Sequence, residues 1–138
     1  MKKIAALDLG DKWTGIAISD PLCMFPKPYT TVQTKELFDY LEIFLTKEPI
    51  KSIVVGLPKT MRGSESEQAR KVRTLFQQLQ ESFTEVAWHL CDERLSSKRA
   101  KELKKPRTKE EKLRTHAIAA TFILSTYLMQ YSIAQSME

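Results

Sequence analysis

One apolar segment, Ile50 to Leu57, does most to restrict the folds open to this chain. Its centre, Ile53-Val54-Val55, shows no alternation of polar and apolar residues. A strand of this kind is covered on both faces, which favours a parallel arrangement near the centre of a sheet. The segment therefore predicts an α/β domain whose sheet is flanked by helices.

Strand and helix patterns alternate along the rest of the chain. Short apolar runs at Ile4 to Leu9 and Gly15 to Ser19 predict a hairpin, and Tyr29 to Val32 predicts a third strand after a proline-marked loop. A further strand is predicted at Val86 to Cys91. The resulting order, βββαβαβαα, is typical of a mixed-sheet α/β domain.

The predicted helices cover residues 34–47, 64–83, 96–103 and 108–131. Three of them begin at polar residues suited to capping, because a side-chain oxygen there can accept a hydrogen bond from a free backbone N–H group. These are Thr34 for the first helix, Ser64 with Glu67 for the second, and Thr108 with Glu111 for the last.

Size and composition restrict the class of protein. The 138 residues suffice for one hydrophobic core, so we expect a single domain over residues 1–138. The 42% hydrophobic content excludes disorder. No run approaches the roughly 18 apolar residues of a membrane-spanning helix, so we expect a cytoplasmic protein with no membrane partner. Cys23 and Cys91 form no zinc or disulfide pattern and are expected to be buried thiols.

Positive charge is concentrated between Arg94 and Arg114. This segment holds ten basic and three acidic residues, a net charge of +7, whereas the rest of the chain carries −2. Such an excess suits a polyanion such as nucleic acid, because phosphate contacts by Lys and Arg supply most non-specific affinity. A solvated helix face has the same composition, and charge alone does not separate the two interpretations.

Two acidic motifs follow predicted strands. Asp8 comes two residues before Gly10, so its carboxylate either binds a metal or fixes the turn. Asp92-Glu93-Arg94 is either a metal ligand beside a phosphate-binding arginine or an exposed salt-bridged turn. Parallel strands would deliver Asp8, Gly56 and Glu93 to one sheet edge, where open α/β sheets bind ligands.

Several motifs occur along the chain in the order and spacing of a known family. They are Asp8-Leu9-Gly10, Gly15 to Asp20, Val55 to Pro58 with Met61 and Gly63-Ser64, Asp92 to Ser96, and Ala119-Ala120 with Ile123-Leu124 and Tyr127-Leu128. With these motifs the chain resembles the YqgF family of Holliday-junction-resolvase-like nucleases, which are related to RuvC. The resemblance implies a single RNase H-like domain in which a three-stranded antiparallel meander is joined to two parallel strands.

The resemblance also implies an activity and a site. The activity is hydrolysis of phosphodiester bonds with Mg²⁺ or Mn²⁺, either in processing the 5′ end of pre-16S ribosomal RNA or in resolving branched DNA. In the family pattern Asp8 is the first metal carboxylate, Glu93 is the second, and an acidic residue on the last helix is the third. This chain has His116 at the third position, and Trp13 where the family has an arginine.

His116 has two interpretations. It shares a helix face with Leu113, Ala117 and Ala120, where a histidine is often only a buried structural side chain. Its place in the family pattern makes it a candidate catalytic residue and metal ligand, because a neutral imidazole can bind a metal or orient the attacking water. His89, on the predicted strand at Val86 to Cys91, has no such support and is expected to be structural.

A set of basic residues is expected to hold the backbone of structured RNA or branched DNA, with little sequence readout. These are Lys12, Arg94, Lys98, Lys104, Lys105 and Arg107. One alternative is a non-catalytic RNA-binding ribosome assembly factor, in which His116 marks lost activity. Another is a phosphotransferase of the sugar-kinase and actin group, which the chain length disfavours because those enzymes close two such domains around ATP. Whether the chain is a monomer or a weak dimer stays open.

Overall fold

Five strands and three helices make up the part of the chain that the computed structural model describes, residues 2–58, 66–92 and 108–136. The strands are β1 (Lys3–Leu9), β2 (Trp13–Ser19), β3 (Pro26–Gln33), β4 (Ile50–Leu57) and β5 (Ala87–Asp92). The helices are α1 (Leu37–Lys47), α2 (Glu67–Ser82) and α3 (Lys109–Ser136), and a 3₁₀ turn over Thr34–Glu36 precedes α1.

The strands form one mixed sheet in the order β3-β2-β1-β4-β5. β1 pairs antiparallel with β2 and parallel with β4, while β2 pairs antiparallel with β3, and β4 pairs parallel with β5. Ile53, Val54 and Val55 of β4 are fully buried. The predicted sheet of three antiparallel and two parallel strands is therefore confirmed, as is a parallel strand covered on both faces.

Side chains of β1 alternate between two cores. Ala5, Leu7 and Leu9 face the core beneath α1 and α2. Ile4 and Ala6 face the core beneath α3. Since alternation continues along a strand, Asp8 lies on the α3 face of the sheet.

The third strand is longer than the sequence indicated. We expected Tyr29 to Val32, whereas β3 begins at Pro26 and includes Pro28. Proline lacks a backbone N–H group and is confined to edge strands, bulges or strand starts. β3 is one of the two edge strands of the described sheet, so a missing N–H group on its outer side breaks no ladder. Prolines on an edge strand also hinder pairing with another chain.

The predicted cap at Thr34 is wrong. Glu36 is the residue before α1, and no side chain caps that helix. The Thr34 hydroxyl instead donates to the carbonyl oxygen of Gly10, at 2.7 Å. A long-range hydrogen bond has therefore taken the side chain that the local pattern assigned to the helix.

The other two caps were predicted with different success. α2 is capped by Ser66, whose hydroxyl accepts from the Ala69 amide at 3.1 Å. The predicted start at Ser64 and the short helix over 96–103 lie outside the described residues.

The capping box of α3 is confirmed, since the Glu111 amide donates to the Thr108 hydroxyl at 3.1 Å. α3 itself continues to Ser136, beyond the predicted end near Tyr131.

Both cysteines are free thiols in buried positions, as predicted. Cys23 has a φ of 56° and lies in the loop after β2, while Cys91 lies on β5 under α3. In the described part of the chain, no helix has the length and apolar character needed to cross a membrane.

Asp20 organises the loop between β2 and β3. Its carboxylate accepts hydrogen bonds from three backbone amides, those of Leu22 at 3.1 Å, Met24 at 2.8 Å and Phe25 at 2.6 Å. These bonds, the one from Phe25 first, lower the pKa of the Asp20 carboxyl from its ordinary value of 3.8. The Asp20 side chain thus has a structural role in this loop.

The lowered pKa predicts how Asp20 contributes to stability. A carboxyl whose pKa is lower in the folded state than in the unfolded state stabilises the fold above the unfolded pKa, and this contribution is lost as pH falls through the folded pKa. We therefore expect Asp20→Ala to destabilise the protein at neutral pH and to reduce the loss of stability on acidification below about pH 4. Urea unfolding of both proteins across that pH range measures this. An equal change of the free energy of unfolding with pH in the two proteins would contradict this prediction.

Candidate functional site

Asp8 occupies the carboxyl end of β1, where it pairs in register with Gly15 of β2. The strand alternation directs it to the α3 face, and the residue is half-buried. A carboxylate in this position stands between the core beneath α3 and the solvent at the edge of the sheet. That is where ligands of α/β sheets bind.

The backbone of α3 lies directly against Gly15. A Cβ atom on Gly15 would be 1.9 Å from the carbonyl oxygen of His116 and 2.8 Å from the amide nitrogen of Ala117. Real Cβ atoms do not approach backbone this closely, so only glycine allows the crossing. Because Gly15 is the register partner of Asp8, the contact holds His116 one strand away from Asp8.

The surroundings of His116 differ from those of a satisfied core histidine. The residue is half-buried, and Ala117, Ala120 and Leu124 beside it are buried against the sheet. Within the described ranges its imidazole takes part in no hydrogen bond or ion pair. A second anchor fixes the helix nearby, since the Thr31 hydroxyl on β3 donates to the Leu113 carbonyl. The helix is therefore positioned without using the imidazole.

The parallel strands bring the second acidic motif to the same edge. Leu7 pairs with Val55, and further along the strands Gly56 pairs with Cys91 and Leu57 with Asp92. Asp92 is the last residue of β5 and is exposed. Glu93 follows it directly in the sequence and lies outside the described residues. The same holds for five predicted phosphate contacts, Arg94, Lys98, Lys104, Lys105 and Arg107.

The donor atoms near Asp8 suit a divalent cation. In the described ranges, no group of three or more His, Cys, Asp or Glu side chains is arranged to hold a metal. Asp8 nevertheless supplies a carboxylate at this edge, and the backbone of His116 contacts Gly15, the register partner of Asp8. Mg²⁺ prefers oxygen ligands, and Mn²⁺ accepts carboxylate as well as imidazole. The two residues fit part of such a site, for which sequence analysis predicts Glu93 as a further ligand.

The turn that follows Asp8 is closed by hydrogen bonds. The Gly10 amide donates to the Trp13 carbonyl at 3.0 Å, and a Cβ on Gly10 would lie 2.5 Å from that oxygen. The Thr34 amide donates to the carbonyl of Lys12 at 2.9 Å, and the Thr34 hydroxyl is bound to Gly10. Lys12 is exposed in this turn, with its ammonium 5.9 Å from the Trp13 ring centroid.

Sequence analysis missed Thr34 as a supporting residue of the site. Its hydroxyl proton is given to Gly10, so the Thr14 hydroxyl, 2.9 Å away, donates to Thr34. The partners are 24 and 20 residues distant in the chain. No local pattern links residues at such separations, and the helix that follows Thr34 gave it a competing interpretation as a cap.

His89, by contrast, has the structural role expected of it. Its ring stacks on Tyr127 of α3 with the centroids 5.4 Å apart. Tyr127 stacks in turn on Tyr131, at 6.2 Å. This row of rings joins β5 to α3 along the sheet.

Comparison with known proteins places this chain in a family. Residues 2–130 match the RuvX family model, described as a Holliday junction resolvase. The chain belongs to the RuvX family. The resemblance found in the sequence to Holliday-junction-resolvase-like nucleases is thereby confirmed. The relatives of the chain are named as nucleases.

Curated relatives of this RuvX family member have nearly the same length. A protein of Bacteroides thetaiotaomicron is 36% identical over 133 residues, covering 93% of this chain and 96% of the relative. A protein of Rubrobacter xylanophilus is 38% identical over 127 residues, covering 91% of each. Both carry the name "Putative pre-16S rRNA nuclease".

A solved structure shares the fold of the RuvX family member. RuvC of T. thermophilus, in complex with a Holliday junction substrate, superposes with a TM-score of 0.60 and covers 96% of each chain. At 14% sequence identity this similarity shows the fold alone. It confirms the RuvC-related architecture that the motifs implied.

The contact at Gly15 predicts a large loss of stability on adding one methyl group. Gly15→Ala would force α3 away from β2, and overpacking of this kind costs about 3 kcal/mol. Urea unfolding measures the change, with Ala87→Ser as a control that adds one atom at an exposed position of β5. The control should stay within about 0.5 kcal/mol of the wild type. Equal stabilities for the two variants would contradict the contact.

Proposed function

We propose that this protein is a metal-dependent nuclease that hydrolyses phosphodiester bonds of pre-16S ribosomal RNA at its 5′ end, in the cytoplasm. The observation that carries the proposal is the contact of the His116 backbone with Gly15, the register partner of Asp8 near the carboxyl end of β1, in a chain of the RuvX family. Relatives of matching length that are named for this substrate support it. We take residues 1–138 to be one catalytic domain.

Three residues of the chain would hold the divalent ion, Mg²⁺ or Mn²⁺. Asp8 and Glu93 provide carboxylates, and His116 provides a neutral imidazole that binds the ion or accepts a hydrogen bond from the attacking water. When bound, the ion supplies Lewis acidity that activates water and neutralises charge on the phosphate. The displacement forms a bond from the water oxygen to phosphorus and breaks the bond from phosphorus to the leaving ribose oxygen. The water gives up one proton and the ribose oxygen takes up one.

Basic side chains would hold the substrate on either side of this centre. Lys12 lies in the turn after Asp8, and Arg94 follows Glu93 in the sequence. Lys98, Lys104, Lys105 and Arg107 extend the positive charge. Phosphate contacts of this kind position a nucleic acid without reading its sequence. Matched RNA, single-stranded DNA and four-way-junction substrates, each with Mg²⁺ and with Mn²⁺, therefore test whether RNA or branched DNA is cleaved.

One observation favours a second function, a non-catalytic RNA-binding assembly factor. His116 occupies the position at which the family pattern has an acidic residue. A factor of this kind would bind RNA equally well in chelator and in metal, and it would cleave none of the three substrates. The phosphotransferase alternative requires a second domain of this type and would be detected by ATP-dependent phosphorylation of a small substrate.

Asp8→Asn tests the metal carboxylate. The change removes the charge and preserves side-chain volume, so we expect cleavage of pre-16S RNA to fall on the order of 10²-fold while the melting temperature changes little. Asp20→Asn is the matched control, because Asp20 binds backbone amides at the other end of β2. A larger loss of turnover in Asp20→Asn than in Asp8→Asn would overturn the assignment.

His116 is tested by a pair of substitutions. We expect His116→Ala to lose most of the activity, on the order of 10²-fold, because it removes a group that binds the ion or orients the water. His116→Asp restores the usual family residue and should keep the activity. Cleavage rates at saturating Mg²⁺ or Mn²⁺ decide this. Full activity in His116→Ala would leave the residue with a structural role.

The basic segment is tested by salt dependence. Replacing Lys104, Lys105 and Arg107 with Ala should weaken RNA binding and reduce the slope of log K against log salt by up to roughly 0.7 to 0.9 for each phosphate that is no longer bound. Lys2, Lys27 and Lys47 form a matched exposed triple towards the opposite end of the sheet. Their replacement should leave the slope unchanged. Equal slopes for the wild type and the variant with Lys104, Lys105 and Arg107 replaced would mean that these side chains lie on a solvated surface and do not contact phosphate.

A further inference from the structure

The loop between β2 and β3 presents large apolar side chains to solvent. Leu22 is 62% exposed, Met24 60% and Phe25 68%, and Met129 of α3, beside Met24, is 66% exposed. We call these four residues the loop patch. In the described part of the chain, the remaining large hydrophobic side chain with comparable exposure is Ile43 on α1. Contiguous exposed apolar surface of this kind marks interaction sites.

The backbone beneath the loop patch is held rigidly. The Asp20 carboxylate binds the amides of Leu22, Met24 and Phe25. Cys23 adopts a left-handed conformation, donates its amide to the Asp20 carbonyl at 3.0 Å and directs its thiol to the Lys2 carbonyl. The apolar side chains are therefore presented by a preorganised backbone. Preorganisation lowers the entropy lost on binding a partner.

Two hollows border the loop patch, one on each side of Met24. Met24, Pro26, Leu128 and Met129 line the first, which has a volume of about 250 Å³. The second is lined by Leu22 and Met24 among others and has a volume of about 450 Å³. Exposed apolar anchors beside hollows that accept a partner's side chains form the usual energetic centre of a protein interface. The two methionines add adaptable surface.

The rim of the loop patch is positively charged. Lys2 and Lys51 line the second hollow, and Lys51 keeps its ammonium beside Tyr131, to which it donates at 3.0 Å. The nearby carboxylate of Asp20 is occupied by backbone amides. A complementary occupant would carry negative charge around an apolar centre. Nucleic acid fits less well, because single strands bind by stacking on exposed aromatic rings. Phe25 is the exposed ring of the patch, whereas the Tyr131 ring at the second hollow is stacked on Tyr127 and has the Lys51 ammonium 4.9 Å from its centroid.

We propose that the loop patch docks a protein partner through a short segment whose apolar side chains are flanked by aspartate or glutamate. The patch lies at the start of β1, where the Cys23 thiol meets the Lys2 carbonyl. Asp8 is six residues further along the strand, roughly 20 Å away at 3.3 Å per residue. A partner on the patch leaves the site edge open to substrate, so docking would recruit the nuclease to an assembly without covering its active centre.

Selection of a random peptide library on the immobilised full chain, followed by fluorescence anisotropy with labelled copies of the selected peptides, tests the proposal. We expect selected peptides to combine apolar residues with aspartate or glutamate. Phe25→Ser and Met24→Ser should weaken their binding at least about tenfold, as expected of interface anchors. Ile43→Ser, equally exposed on α1, is the matched control and should bind as the wild type does.

Charge and activity are checked on the same proteins. Lys2→Glu should weaken binding of the acidic peptides several-fold, whereas Lys35→Glu, an exposed charge reversal next to α1, should not. Phe25→Ser should cleave free RNA at the wild-type rate, which separates a failure of docking from a failure of the proposed nuclease activity.

Several results would overturn docking of an acidic protein segment. Equal peptide affinities in the wild type and Phe25→Ser would remove the patch from the interface. Selection of lysine-flanked peptides would contradict the charge argument. A dimer in sedimentation equilibrium that Phe25→Ser dissociates would make the occupant a second copy of this chain. Binding of an RNA oligonucleotide or of anionic lipid vesicles that Phe25→Ser abolishes would assign the patch to those ligands instead.

Discussion

The backbone contact between α3 and β2 at Gly15 is the constraint on which the rest of the structure depends. The sheet face beneath α3 has small side chains on its central strands, Ala6 on β1 and Ala17 on β2, and Ala120 belongs to the same core on the helix. The opposite face carries larger residues such as Leu7 and Ile16. Small residues let the helix approach until its backbone touches the strand, whereas large ones would hold it away.

The position of the candidate site follows from that approach. Because α3 rests on Gly15, the His116 backbone contacts β2 at the residue that pairs with Asp8 of β1. This contact is made by backbone atoms and does not depend on the orientation of either side chain. The turn after Asp8 is then held by Thr34, which joins the start of the α1 segment to Gly10. Parts of the molecule far apart in sequence thus bring the Asp8 carboxylate, the His116 backbone and the exposed Lys12 to neighbouring positions.

The two ends of β1 have different surfaces. The carboxyl end carries polar and charged groups around a half-buried carboxylate, which suits the proposed nuclease centre. The other end carries the loop patch, with apolar side chains on a backbone stabilised by Asp20. Because β1 is a central strand of a rigid sheet, the two surfaces are held at a fixed separation. A small domain can in this way bind substrate at one end and a partner at the other.

Much of the fold and part of the candidate site could be predicted from the sequence. Unbroken apolar residues identified β4, and the Thr108 box identified the start of α3. The family motifs predicted Asp8 and His116 as members of one candidate site. Each of these signals is either local, with partners three or four residues apart, or carried by a shared pattern of residue types. Local periodicity and capping depend on neighbouring residues, so a single sequence is sufficient to read them.

The remaining features required the tertiary structure. Thr34 forms a hydrogen bond to Gly10 across 24 residues in preference to capping a helix. β3 accepts Pro26 because none of the described strands pairs on its outer side. In the sequence Gly15 has no feature that distinguishes it from another strand glycine, and its role follows from the α3 backbone that packs against it. By itself the sequence determined which segments form strands and helices and which residue types reach the sheet edge. Only the tertiary structure decided which of those residues are in contact. Such contacts depend on how closely two elements pack, and the local sequence pattern of each element does not specify that distance.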